Sequence, residues 1–229
     1  MSHPTTPPMV ETTTAARPMR SDARRNRERV LAAAEAVFSE MGLRAQIEEV
    51  ARRAGVGVGT VCRHFPTKQA LVEAVLEAMY ESLLRDALRA AEQPDPGEAF
   101  RTFVFALSEF QGRHRALAEH MATEIELPAA AQPVRDALRG AIEGLVTRAQ
   151  VAGTIRSDIG PADISLLFSG VAHATALAGD LQPVLRRRYV ALILDGLRPL
   201  EASQLPGRPL DFAQLQRIKK PKTPATRTR

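Results

Sequence analysis

Apolar residues along this chain recur mostly at intervals of three and four, the pattern of helices that bury one face. Val30, Leu31, Ala34, Val37, Phe38 and Met41 form the first stripe, opposite Arg24, Arg25, Arg27 and Glu35. Ser21 and Asp22 are good N-cap residues, so order is expected to begin there, and Gly42 is placed to close this helix. Ile47, Val50, Ala51 and Ala54 make a short second stripe, broken by Gly55. Val58, Val61 and Phe65 make a third, expected to face inward and stopped by Pro66. Thr67 is a candidate N-cap for a fourth helix that carries Leu71, Val72, Val75, Leu76, Met79, Leu83 and Leu84 toward Ala91.

The run Pro94-Asp-Pro-Gly97 breaks the pattern, and helical spacing then resumes in Phe100, Phe103, Val104, Leu107 and Phe110. Residues 113–126 read as a further short helix. Pro133 is placed to open a long helix through Val134, Leu138, Ile142, Leu145, Val146 and Ala149, ended by Gly153. Pro161 opens another with Ile164, Leu167, Phe168, Val171 and Thr175, and Pro183 a last one with Leu185, Tyr189, Leu192, Ile193 and Leu197. No alternating run of strand length occurs, so the expected class is all-α. Residues 1–20, rich in Thr and Pro, read as a disordered tail, and residues 201–229, where Pro and basic residues return, as a mobile basic one.

Charge changes this picture. The net charge of the 229-residue chain is +5, but residues 24–68 carry net +4, residues 69–207 net −5 and residues 208–229 net +6. A basic head on an acidic body suggests that the head meets a polyanion while the body does something else. No apolar stretch approaches the ~18 residues that a membrane helix needs, and the N-terminus has no apolar core of a secretory signal. The expected location is the cytoplasm and no membrane partner is expected. Cys62 is the single cysteine, which excludes an internal disulfide or a multi-cysteine zinc cluster.

The most informative stretch is Ile47 to Lys68. A helix-turn-helix needs a small residue where its helices cross, a tight turn, and an apolar residue on the second helix to close the core. Ala51, Gly55 four residues later, and Val61 ten after Ala51 meet these needs. A helical projection turns Gly59, Thr60 and Arg63 outward, with His64 at the flank. Gly57 and Gly59 let backbone approach a duplex. Thr60 can bond a phosphate oxygen, Arg63 a phosphate or a guanine edge, and Lys68 a phosphate from the start of the next helix.

These residues resemble the tetracycline-repressor (TetR) family. The resemblance runs through RERVLAAAEAVF (Arg27–Phe38), Gly42, EEVARRAGV (Glu48–Val56), Gly59-Thr60, Arg63-His-Phe-Pro66, Lys68 and Leu71. It covers about 60 residues in order and spacing. It implies a TetR-type DNA-binding domain over 21–83, with the motif at 46–65, and a helical ligand-binding and dimerisation domain over 84–200. It also implies a homodimer through helices near 161–178 and 183–197, and a double-stranded DNA operator, with Arg27, Gln46, Gly57, Gly59, Thr60, Arg63, His64 and Lys68 at the interface. Further implied is a repressor released by a small-molecule inducer bound among the middle helices. Two positions depart from the family's pattern: Cys62 stands where a Tyr is usual, and Gly57 where a Ser or Thr commonly caps the recognition helix.

Other constellations were weighed against plain structural roles. Phe100, Phe103, Leu107, Phe110, Met121 and Phe168 are candidates to line a pocket for an apolar or aromatic inducer, or simply to fill the core. Arg24, Arg25 and Arg27 are either an arm toward the minor groove or a solvated helix start. Cys62 is either a thiol switch on the DNA-reading helix or a small, partly buried filler. His114, His120 and His173 lack metal-ligand spacing, so no metal and no other cofactor is expected. No catalytic constellation stands out, and the chain reads as a non-enzyme. Two other classes remain: a DNA-organising helix-turn-helix protein without a ligand, and a small-molecule carrier that has lost DNA binding.

Overall fold

Glycine and proline punctuation sets the helix ends. The computed structural model describes residues 16–114, 131–199 and 203–219. Its helices are α1 (Ala16–Met41), α2 (Ile47–Ala54), α3 (Val58–His64), α4 (Lys68–Ala91) and α5 (Pro96–Arg113). They continue as α6 (Gln132–Val151), α7 (Pro161–Ala174), α8 (Gln182–Gly196) and α9 (Phe212–Lys219). No strand occurs among the described residues, which form an all-helical fold.

The first three helices wrap a small core, with Val30, Val37, Phe38, Val50 and Val61 fully buried. Burying each such side chain contributes about 1.5–3 kcal/mol. Gly42 (φ 72°) and Gly55 (φ 65°) end α1 and α2 in the left-handed region. The amide of Gly42 donates to the Phe38 carbonyl at 3.0 Å, and that of Val56 to the Ala51 carbonyl at 3.1 Å. These are the closures expected of C′ glycines. Arg29 reinforces the second, because its Nη2 donates to the Ala54 carbonyl at 2.6 Å.

The long helix α4 joins head and body. Thr67 caps it as expected, its Oγ1 accepting from the Ala70 amide at 3.0 Å. The boundary placed at residues 83 and 84 falls inside this helix, where Leu83 and Ala87 are both buried. Helix α4 lies along α5 and α6, and Arg148 of α6 closes its far end by donating to the carbonyls of Ala91 (2.6 Å) and Gln93 (3.0 Å). Asp95 caps α5 with Oδ1 accepting from Gly97 and Glu98 amides, so this helix starts inside the Pro94–Gly97 break with Pro96 at its first position. In α7, Asp163 accepts from the Gly160 amide at 2.8 Å.

Three expectations need correction. Helix α1 begins at Ala16 rather than at Ser21–Asp22. Pro18 falls in its first turn, where no amide partner is lost. Part of the segment read as a mobile tail is instead packed on the body: α9 lies against α7, Leu215 is buried, and the Arg139 guanidinium stands 5.2 Å over the Phe212 ring. Arg156 holds the approach by donating to the Ser203 carbonyl at 2.5 Å. The dimerisation helices expected at 161–178 and 183–197 end or start a few residues away, at Ala174 and Gln182. The expected helix over 113–126 lies largely outside the described residues, as do Met121 and His120. No helix among the described residues is long and apolar enough to cross a membrane.

Candidate nucleic-acid interface

Helices α2 and α3 are crossed through Ala51, Ala54 and Val61, all buried, with Phe65 (3% exposed) closing the bottom. Only small side chains let the two axes come this close. The turn between them is Gly55-Val56-Gly57, and Gly57 occupies the α3 N-cap with extended backbone (φ −72°, ψ 149°) and no side-chain bond. The missing hydroxyl cap is therefore a feature of the folded helix.

The outward face of α3 carries Val58, Gly59, Cys62 and Arg63, all exposed, with Thr60 and His64 half-buried at its edges. Val58 was expected inside, but 39% of it is exposed. It occupies the first turn of α3, while Val61 and Phe65 are the buried apolar side chains of this segment. Cys62, read as a partly buried filler or a switch, stands in solvent beside Arg63. Arg44, which the sequence reading passed over, is exposed just ahead of α2. Its carbonyl accepts from Gln46 Nε2 at 3.3 Å, which ties the exposed Gln46 side chain to the start of α2. A basic residue two positions before the motif was the available signal.

The cations fall into two groups. Arg52 bonds Glu49 within α2, and Arg53 crosses to Glu40 of α1, which holds both carboxyls below their ordinary range. Arg24 pairs with Glu28 at 3.7 Å, and Arg25 with Asp22. These side chains lie on the continuous helix α1. Arg44, Arg63 and Lys68, in contrast, make no side-chain hydrogen bond or ion pair to any described residue. Arg27 also lacks an acidic partner among the described residues and rests 5.2 Å over the Phe65 ring. A surface bearing uncommitted cations, small glycines and a hydroxyl is suited to a phosphate backbone.

In the body, Phe100, Phe103, Leu107, Phe110 and Phe168 are all packed in the core, none more than 5% exposed. A cavity of about 360 Å³ opens instead at one end of α5, lined by Phe100, Arg101, Phe105, Ile155 and Leu194 among others, so it touches just one of the candidate pocket residues. His114 ends α5 against α1: its Nε2 lies 3.3 Å from Glu35 Oε1 and its Nδ1 3.3 Å from Ser39 Oγ. Burial lowers its pKa, against the attraction of Glu35. No group of three or more potential metal-ligating side chains is assembled among the described residues.

Two family models match the chain. Residues 30–75 match "bacterial regulatory proteins, tetR family", and residues 95–199 match "transcriptional regulator SbtR-like, C-terminal domain". Among solved structures, a TetR transcription regulatory protein from Mycobacterium vanbaalenii is 37% identical, with a TM-score of 0.60 over 79% of this chain and 99% of that one. The TetR transcriptional regulator SCO0520 from Streptomyces coelicolor is 35% identical, with a TM-score of 0.60 over 76% and 99%. The HTH-type transcriptional regulator UidR of Escherichia coli (strain K12) is 26% identical over 191 residues, 80% of this chain and 94% of that protein.

Proposed function

The chain belongs to the TetR family of transcriptional regulators, which bind DNA through a helix-turn-helix, here α2 and α3, and from that premise we propose a ligand-responsive repressor. It binds a near-palindromic operator as a homodimer and leaves it when a small-molecule inducer binds the body. The observation that carries this reading is the α3 face, where Arg63 and Lys68 stand uncommitted beside exposed Gly57, Gly59 and Cys62.

Arg27, Thr60, His64 and Lys68 supply phosphate contacts, and Arg63 with the glycine backbone adds base discrimination. Gln46, at the start of α2, reaches the flanking backbone. The homodimer reading is supported by α7 and α8 and the turn between them. Leu166, Leu167, Leu177, Leu181, Val184 and Leu192 expose large apolar surface there, which a second copy would cover. Two α3 helices then enter successive major grooves roughly 34–36 Å apart. An apolar or aromatic inducer repacks α5 and α7 around Phe103, Leu107, Phe110 and Phe168, with Phe100 at the neighbouring end. The Phe110 ring lies 4.7 Å from that of His114, which touches α1, so a shift of α5 reaches the head through one side chain. The inducer acts by favouring the arrangement that cannot bind DNA.

Selection of bound duplexes from a random pool by the full-length protein, paired with light scattering, tests this reading. A two-fold symmetric motif and a dimeric mass are expected. An asymmetric motif, no enrichment, or a monomer that binds with full affinity would refute it.

A further inference from the structure

Arg186 of α8 is a charged side chain only 7% exposed, and its Nε and Nη1 are buried without a hydrogen-bond partner among the described residues. Buried guanidinium groups are normally paired, because desolvating a charge without compensation is expensive. The nearby carboxylate is already engaged: Glu109 accepts from Arg187 at 2.9 Å. Arg113 and Arg187 add to the positive potential, and burial pulls the Arg186 pKa below its ordinary value. A guanidinium nevertheless keeps its proton.

The neighbouring helix is shaped around this group. A Cβ on Gly112 of α5 would come 1.6 Å from Arg186 Nη1 and 2.5 Å from its Cζ, so the guanidinium lies directly on glycine backbone. Ser108 lies one turn before Gly112 on α5, and Gln111 lies next to Gly112 and three residues after Ser108. Ser108 Oγ and Gln111 Oε1 are also buried without partners among the described residues, while Gln111 Nε2 donates to Ser169 Oγ of α7 at 3.2 Å. Three residues on two helices therefore carry unsatisfied polar atoms, and such groups are the exception in a folded interior. Phe110, Phe168 and Val190, all buried, are their sequence neighbours on α5, α7 and α8.

We propose that Arg186, with Ser108 and Gln111, forms the polar anchor of the effector site and takes the carboxylate of a monocarboxylic acid with an apolar body. The inference deepens the ligand-responsive reading and rests on it. Arg186 supplies the charge, Ser108 and Gln111 supply hydrogen bonds, and the surrounding aromatic core receives the rest of the molecule.

Calorimetric titration and thermal melting of the full-length protein test it, using sodium octanoate and sodium benzoate, with octanamide and benzamide as uncharged controls. The acids are expected to bind and raise the melting temperature, and the amides to bind at least about tenfold more weakly. Arg186→Met should abolish the preference for the acids, and it should raise the melting temperature without ligand, because an uncompensated charge is removed. Gly112→Ala, which fills the guanidinium's seat, should weaken acid binding with Arg186 still present. Equal binding of acids and amides, no binding of either acid, or a ligand-free melting temperature lowered by Arg186→Met would overturn the site. DNA affinity is read separately. Acid binding that leaves it unchanged would keep the site and remove the ligand-responsive reading. Inducible release that ignores Arg186 would do the reverse.

Discussion

At the residue scale, environment decides what each side chain can do. Arg29, Arg53 and Arg63 belong to the same basic head, but two of them are spent on structure. Arg29 closes α2 and Arg53 ties α2 to α1, while Arg63 remains available. The sequence shows that these residues are basic and roughly which face they occupy, not which acid each will meet. Gly42, Gly55 and Thr67 were legible because turn and cap chemistry is local. Val58 was not: a seven-residue helix has too few turns to fix its inner face, and tertiary contact with α1 decided it. His114 was read as a weak metal candidate and proves to make a contact between the end of α5 and α1. Its pKa is lowered by burial, so the unfolded chain takes up a proton below about pH 6.5 that the folded chain resists. Stability therefore falls as pH drops from neutrality, and the loss is complete below the folded-state pKa. His114→Gln should flatten this part of the curve of urea midpoint against pH, and an unchanged slope would remove His114 from the account.

At the element scale, the α2–α3 turn is the most constrained feature of the head. Gly55 holds φ at 65°, and an added Cβ would meet Arg29 Nη2 at 3.1 Å. Gly55→Ala should thus cost about 1–2 kcal/mol from the left-handed backbone, with a further loss as Arg29 yields its bond to Ala54. Urea unfolding measures this, and a cost below about 0.5 kcal/mol would contradict the turn's role. An element with strong periodicity and a proline or glycine at each end, such as α6 with Pro133 and Gly153, was legible. Helix α9 was not, because its two packed apolar residues, the partly buried Phe212 and the buried Leu215, are hidden in a stretch rich in proline and basic residues. Its packing depends on Arg139 and on the Gly160 backbone, which no local pattern announces.

At the scale of the whole molecule, α4 makes head and body one connected core, and the C-terminal segment is part of it. Removing residues 208–229 strips Phe212 and Leu215 from α7, so the melting temperature should fall by roughly 5 °C. An unchanged melting temperature would mean that the segment contributes nothing to the fold. The division of charge between head and body was visible in the sequence, and it matches a basic DNA-facing surface carried on an acidic body. The unsatisfied groups of Arg186, Ser108 and Gln111 were not visible in the sequence, because buried polar groups on different helices leave no periodic trace. The account depends most on the α3 face. Fluorescence anisotropy at one fixed salt concentration, with a duplex recovered by selection, compares the wild-type protein with Arg63→Ala/Lys68→Ala. Both residues are outside the core, so melting temperature should be retained while affinity falls by roughly 100-fold or more. Unchanged affinity in the folded double variant would contradict the assignment of this face to DNA.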